Sequence, residues 1–465
     1  MHVLMLGWEF PPYITGGLGT ACQGLTKSLD QRGVKITFLL PKAVGNEAPA
    51  HINLVGTDTP QQRRAPTSAD GSVQPDHETT NEMTDALIDT TFVEIEAGFA
   101  NPYARPDIHT KMHRESLNAG ENISPDILID PVSGDPIAPE EAAMDKIDSD
   151  YGGDLLTKIR RYAAFCLKAA KDLEFDVIHA HDWMTFPAGL MLARATGRPL
   201  VCHVHSTEFD RSGEHPNQMI YDIERRGAHG AMRVIAVSRL TQDILVYRYG
   251  MDRNRISVVY NGVDLEPTQN DPKRGIKGDD KIVLYLGRIT MQKGPEYFIQ
   301  AAARVLQVMK NVKFVVAGDG DMARGMIEMA AHLGIGHKVL FTGFLRGRDI
   351  DRVFQMADLY VMPSVSEPFG IAPLEAMIRD VPVLISKSSG VSEVLTHALK
   401  VDFWDTDAMA DKIVAVLRHP PLGNTLRRQG AFEVRGLNWT GAAERVEQVY
   451  NQVVEAMKVS SVAAH

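Results

Sequence analysis

The stretch MHVLMLGWEFPPYITGGLGTACQGLTKSLDQRGVKITFLLP, residues 1–41, carries one unit of a parallel α/β sheet. HVLML (2–6) is a short apolar run that ends at Gly7, and a loop holding Pro11, Pro12, Gly16, Gly17 and Gly19 follows. A helical pattern then begins at about Thr20, with Leu25 and Leu29 on one face, and VKITFLLP (34–41) is a second buried-strand candidate. Strand, glycine loop, helix and strand in that order predict a doubly wound fold.

The same rhythm resumes at 151. GDLLTKIRRYAAFCLKAAKDL places Leu156, Ile159, Ala163, Cys166, Leu167 and Ala170 at spacings of three and four, which predicts an amphipathic helix. Strand candidates follow at 176–181, 199–205, 233–238 and 257–264, with a helix near 217–229. EPTQNDPKRGIKGDD (266–280) is polar and turn-rich and reads as a linker. A second series of short β-rich runs then appears at 281–288, 312–320, 338–344, 359–364 and 382–390, separated by helical patterns. The last helical pattern, about 440–458, has Thr440 as its expected N-cap, and 459–465 read as a frayed tail. The expected organisation is an N-terminal Rossmann-like domain (1–265), a C-terminal Rossmann-like domain (266–440) and a final helix (441–465) crossing back to the first. The two sheets would face a central cleft, with a hinge near 265–280. Ligands of such sheets bind at the carboxyl ends of strands.

Residues 42–150 interrupt the pattern. They are rich in Pro, Asp, Ser, Thr and Asn, and 101–150 hold eleven acidic against four basic side chains. A structureless loop of that length is unusual in a compact domain, so short strands are expected at 52–55 and 91–95.

Composition narrows the function classes. The 465 residues suit two or three domains at roughly 100–200 residues each. With 49 basic and 59 acidic side chains the net charge is −10, which disfavours nucleic acid and anionic membranes as partners. No apolar run approaches the about 18 residues of a membrane span, and MHVLMLGWEFPP has no basic region before its apolar run. The expected compartment is the cytoplasm. Cys22, Cys166 and Cys202 sit in apolar or small-residue runs and read as reduced core thiols.

Four motifs carry the chemistry. In TGGLGTA (15–21), Gly16 and Gly17 let backbone N–H groups approach an anion at a helix N-terminus, although a plain loop fits the same residues. Eight residues separate Gly7 from Gly16, a spacing unlike that of a dinucleotide fingerprint. In GRITMQKG (287–294), Arg288 and Lys293 leave a strand end together and suit a diphosphate. In EPFGIAPLEAM (367–377), Glu367 lies in a loop shaped by Pro368 and Gly370, and Glu375 in the first turn of a helix; carboxylates there can accept sugar and ribose hydroxyls. HAHDW (179–183) places His181 at a strand end. Together with His179, His203 and His205 it raises the question of a metal, but hydrogen bonding is the favoured role and no metal is expected. Asp319 and Asp321 read as turn formers, and Asn438-Trp439-Thr440 as a glycosylation sequon that a cytosolic chain would not use.

TGGLG (15–19), HAHDW (179–183), GR…KG (287–294) and EPFG…LE (367–375), in that order, resemble the retaining nucleotide-sugar glycosyltransferases of GT-B fold, most closely the glycogen/starch synthases and their family 4 relatives. The resemblance spans nearly the whole chain outside about 45–150. It implies that Arg288 and Lys293 neutralise the donor diphosphate and that Glu375 binds the ribose. Glu367 would bind the transferred sugar. His181 would contact the sugar's 6-hydroxyl, with its backbone carbonyl near the anomeric carbon. Gly16, Gly17, Phe369, Gly370, Ser389, Gly390 and Val391 complete the implied donor site. No cofactor beyond the nucleoside-diphosphate sugar is implied, and the expected acceptor is an α-1,4-glucan or maltooligosaccharide.

The chain departs from the synthases where Thr15 replaces their usual Lys and KSSG (387–390) replaces a Gly-Gly pair. A family 4 transferase with another donor sugar, or with a small or lipid-linked acceptor, is the alternative. A Rossmann oxidoreductase would need an intact G-x-G-x-x-G, which neither sheet has. A non-catalytic sugar binder would be expected to lack Arg288, Lys293 or Glu367, and all three are present.

Overall fold

In the computed structural model, residues 1–11, 16–41, 90–93, 128–129, 136–137, 151–265 and 280–463 are described. Thr15, the expected strand at 52–55 and most of the linker at 266–280 lie outside them. The chain forms two compact units. One comprises residues 1–203, 223–234 and 447–465, the other 204–222 and 235–446.

Up to the linker the elements run β1 (His2–Leu6), α1 (Gly17–Gln31), β2 (Lys35–Leu39), β3 (Thr90–Val93), β4 (Leu128–Ile129), β5 (Pro136–Ile137), α2 (Tyr151–Ala170), β6 (Val177–His181), α3 (Phe186–Thr196), β7 (Leu200–Val204), α4 (Glu208–Ser212), α5 (Gln218–Gly230), β8 (Arg233–Ala236), α6 (Arg239–Tyr247) and β9 (Ile256–Val258). Seven strands form a sheet of order β3-β2-β1-β6-β7-β8-β9, while β4 and β5 make a separate antiparallel pair. The pairs β1–β2, β1–β6, β2–β3 and β6–β7 are parallel. The chain leaves β1 in one direction and returns beside it as β6, so the strand order reverses there. In open parallel sheets ligands bind outside the carboxyl ends of two such strands; here β1 leads into Gly7 and β6 ends at His181.

After the linker come β10 (Lys281–Leu286), α7 (Pro295–Val308), β11 (Val312–Ala317), α8 (Ala323–His332), β12 (Val339–Gly343), α9 (Arg348–Met356), β13 (Leu359–Met362), α10 (Ala372–Ile378), β14 (Val383–Ser386), β15 (Leu399–Val401), α11 (Thr406–Arg418), α12 (Pro420–Val434) and α13 (Trp439–Ala463). The second sheet has order β12-β11-β10-β13-β14-β15, and its pairs are parallel. Its alternating side chains divide between two apolar layers. Val283, Tyr285, Phe314, Val316 and Leu359 enter one, and Ile282, Leu284, Val315, Tyr360 and Met362 the other. Both faces are therefore covered, which is why these strands read as continuous apolar runs. The order reverses between β10 and β13, and both chemical motifs of this half leave those two strand ends.

Several local expectations change. The helix expected from about Thr20 begins at Gly17, with Gly16 as its N-cap. The strand expected at 257–264 is only Ile256–Val258. The short strand expected at 91–95 is Thr90–Val93, at the edge of the sheet. The final helix begins at Trp439 and is capped by Asn438, whose carboxamide oxygen accepts the Gly441 N–H at 3.0 Å, so Thr440 lies inside it. That helix runs on to Ala463, because nothing in 459–463 breaks it. Cys22, Cys166 and Cys202 are free and buried, and burial pushes all three thiols up.

Candidate active site

The second unit brings together Lys293 and Glu367, 74 residues apart in sequence. Lys293 closes a short 3-10 turn, Met291–Lys293, between β10 and α7. Gly294 follows at φ +61, where an added Cβ would meet the Pro363 carbonyl, so the tight turn into α7 needs glycine. Lys293 Nζ donates to Glu367 Oε2 at 2.6 Å, and Ser364 Oγ donates to the same oxygen at 3.3 Å. Both side chains of the pair are mostly buried, at 19% and 10% exposed. Arg288 is exposed at the end of β10, and its carbonyl accepts the buried Tyr285 hydroxyl at 2.7 Å. Burial, reinforced by the nearby Glu367 and Glu296, pushes that hydroxyl up, so it stays a donor.

Two loops clip together around Glu367. Its N–H donates to the Ser388 carbonyl at 3.0 Å, its carbonyl accepts the Gly390 N–H at 2.9 Å, and the Val391 N–H donates to Phe369 O at 2.7 Å. Ser389 precedes the 3-10 turn Gly390–Glu393 without capping it through its side chain, and its hydroxyl donates instead to Ser386 O at 2.6 Å. Phe369 and Val391 place their side chains in the apolar layer. Gly370 has φ +100 and turns the chain from Phe369 into α10. Glu375 stands in the first turn of α10. Burial pushes its carboxyl up; the Arg379 charge opposes that shift and Asp351 and Asp264 add to it.

In the first unit, Gly16 and Gly17 open α1 with no side-chain cap and no acid in the first turn. The buried Glu9 carboxylate stands beside this helix end, where a Cβ added at Gly16 would meet its Oε2. His181 is fully buried at the end of β6, in a histidine cluster. His179 Nδ1 lies 2.5 Å from the Tyr450 hydroxyl and its Nε2 lies 3.3 Å from His203 Nδ1. The His181 ring packs on His179 at 4.2 Å between centroids and on Phe38 at 6.2 Å. The nitrogens of His179, His181 and His203 lie close enough together to hold a metal. Both nitrogens of His179 are engaged in hydrogen bonds, the arrangement of a hydrogen-bonded chain. The His181 carbonyl accepts the Thr185 hydroxyl at 2.9 Å. In the second unit, burial pushes the His205 imidazole down to about 3.

Three residues near these motifs were not singled out from the sequence. Asp182 has φ 60, a left-handed conformation in which Asp is enriched. Thr185 braces the turn after His181. Asp210, in the second unit, holds Ser366. The signal for the first is the polar residue directly after a strand-end histidine; the third has no local signal.

Family models match in three consecutive stretches. Residues 2–119 match the starch synthase catalytic domain, 139–267 glycosyltransferase family 4, and 267–431 the glycosyl transferases group 1. An uncharacterized glycosyltransferase of Methanocaldococcus jannaschii is 26% identical, with 98% of this chain and 100% of that protein covered. The D-inositol 3-phosphate glycosyltransferase of Mycolicibacterium smegmatis is 28% identical over 69% of this chain and 78% of its own. Among solved structures, sucrose-phosphate synthase from Thermosynechococcus elongatus superposes with a TM-score of 0.68 at 18% identity, covering 98% of this chain and 99% of that one. HepE from Anabaena, solved with UDP-glucose, gives 0.64 at 18% identity, covering 97% and 100%.

Proposed function

The chain is a glycosyltransferase of GT-B fold, and from that premise we propose that it moves a glucosyl unit, with retention of configuration, from a nucleoside-diphosphate glucose to a small phosphorylated sugar or polyol. The Lys293–Glu367 pair carries this reading. Breaking the sugar–phosphate bond builds negative charge on the diphosphate and positive charge on the ring. Lys293 and Arg288 meet the first charge, and Glu367, fixed 2.6 Å from Lys293, meets hydroxyls of the second. The C1–O bond to phosphate breaks, the acceptor oxygen bonds to C1 on the same face, and its proton passes to the departing phosphate. Fixed cations supply the charge stabilisation, so the step as proposed needs no resident metal. Glu375 accepts the ribose hydroxyls, and the N-terminal amides of α1 receive an anionic group.

The relatives favour the small acceptor, since their names are those of inositol-phosphate and sucrose-phosphate enzymes. A second reading, transfer to an α-1,4-glucan, is favoured by the starch synthase match over residues 2–119. The test is nucleoside diphosphate release from ADP-glucose, UDP-glucose, GDP-mannose and UDP-GlcNAc with chelator present. Each donor is paired with glycogen, fructose 6-phosphate or inositol phosphate. Release from a glucose donor that needs a phosphorylated acceptor, giving an α-linked product by NMR, supports the reading. Release that needs glycogen replaces it with the glucan reading. Release that chelator abolishes overturns the metal-free mechanism.

A further inference from the structure

Asp210 is nearly inaccessible to solvent, at 2% exposed, and sits in α4, which none of the four sequence motifs includes. A buried carboxylate is costly unless its oxygens are hydrogen-bonded. Its Oδ2 accepts the Thr207 N–H at 2.7 Å and the Thr207 hydroxyl at 2.8 Å. These bonds belong to the capping box of α4, in which Thr207 Oγ1 also accepts the Asp210 N–H at 3.4 Å. That box accounts for one oxygen. The other, Oδ1, accepts the Ser366 hydroxyl at 2.6 Å, a length typical of a charge-assisted bond.

Ser366 directly precedes Glu367. The Val365 and Ser366 N–H groups both point at the Gln292 carbonyl, at 2.9 and 3.4 Å, and Gln292 directly precedes Lys293. One three-residue segment thus meets the lysine turn through its backbone and α4 through the Ser366 side chain. We infer that Asp210 is a positioning residue: through Ser366 it fixes the segment that presents Glu367 to Lys293. The role rests on the glycosyl-transfer reading for its effect on rate, but not for its effect on structure.

Ser366→Ala is the discriminating variant, because it removes the bridge and leaves the capping box of α4 intact. Amide hydrogen exchange is read over 364–368 and 290–293, and donor turnover in parallel. Ser366→Ala and Asp210→Asn are expected to speed exchange in both stretches to the same degree. Each should lower kcat/KM about tenfold, the double variant should be no worse than either single one, and Ser366→Thr should restore both measures. Unchanged exchange in Ser366→Ala overturns the inference, as does faster exchange in Asp210→Asn alone, which would confine Asp210 to capping α4. Faster exchange with undiminished turnover also overturns it. If the wild-type chain turns over no donor, the function reading falls, and the exchange measurement still decides the positioning role.

Discussion

At the scale of single residues, the Lys293–Glu367 pair carries most of the chemistry. Two opposite charges about 4 Å apart interact by roughly 4 kcal/mol at an effective dielectric near 20, and a developing diphosphate charge beside Lys293 gains a comparable amount. Lys293→Ala is therefore expected to lower kcat by about 10²–10³-fold, the usual loss for one electrostatic contact in a preorganised site. It also leaves Glu367 buried without its cation, so the variant should melt earlier. Turnover normalised to folded protein, with melting followed by circular dichroism, separates the two effects.

Glu375 offers a pH signature. Its carboxylate form accepts hydroxyls, and burial raises its pKa. Donor affinity is then present above that raised value and lost as pH falls through it. The donor KM should climb on acidification before ordinary carboxylates protonate. Glu375→Gln should flatten this acid limb and raise KM about tenfold at pH 7, at about 1.4 kcal/mol per factor of ten. Stability runs the other way. The folded chain binds the proton more tightly than the unfolded chain, so this group's contribution declines as pH rises towards the raised pKa. Glu375→Gln should accordingly raise the melting temperature at pH 7, and a titration of both quantities checks the two signs together.

At the scale of elements, caps and turns set where the helices begin. The Asn438 carboxamide bonds the Gly441 N–H at the start of α13. Loss of such a cap costs about 1 kcal/mol, so Asn438→Ala should lower stability by that amount in denaturant melts, and Asn438→Asp should restore it. The sequence reading placed the cap at Thr440, two residues late, because the helix already begins at Trp439. The early start of α1 has a related cause. With Gly16 as cap and Gly17 as first residue, there is no side chain whose pattern could mark the boundary, so apolar periodicity registers the helix only from its second turn.

At the scale of the whole molecule, the two units share the chain unevenly. The first takes residues 447–465, which follow the entire second unit in sequence. Val449, Tyr450 and Val453 are buried there, and the Tyr450 hydroxyl reaches His179. Burying each such side chain contributes about 1.5–3 kcal/mol, and total stability is commonly about 5–15 kcal/mol. Deleting 447–465 should abolish the soluble folded form, whereas Tyr450→Phe, which removes only the hydroxyl, should cost about 1–2 kcal/mol. Expression of soluble protein and thermal melts distinguish these outcomes.

The sequence by itself determined the α/β class, the alternation of strands and helices, and the positions of the strand-end motifs. Those features depend on residues close along the chain: apolar runs bounded by glycine, and cations or carboxylates a few positions past a strand. It also carried Arg288, Lys293, Glu367 and Glu375 as candidates, because the first three lie in strand-to-helix turns and the fourth in the helical turn that follows, where ligands of parallel sheets bind. Only the tertiary structure decided that Lys293 and Glu367 pair, since that contact follows from β10 and β13 lying side by side where the strand order reverses. It likewise placed the side chains of Phe369 and Val391 in the apolar layer, brought Tyr450 to His179, and set Asp210 against Ser366. The physical reason is common to all of these. A buried charge or imidazole must find its partner wherever packing brings one, and sequence separation carries no trace of which neighbour that is.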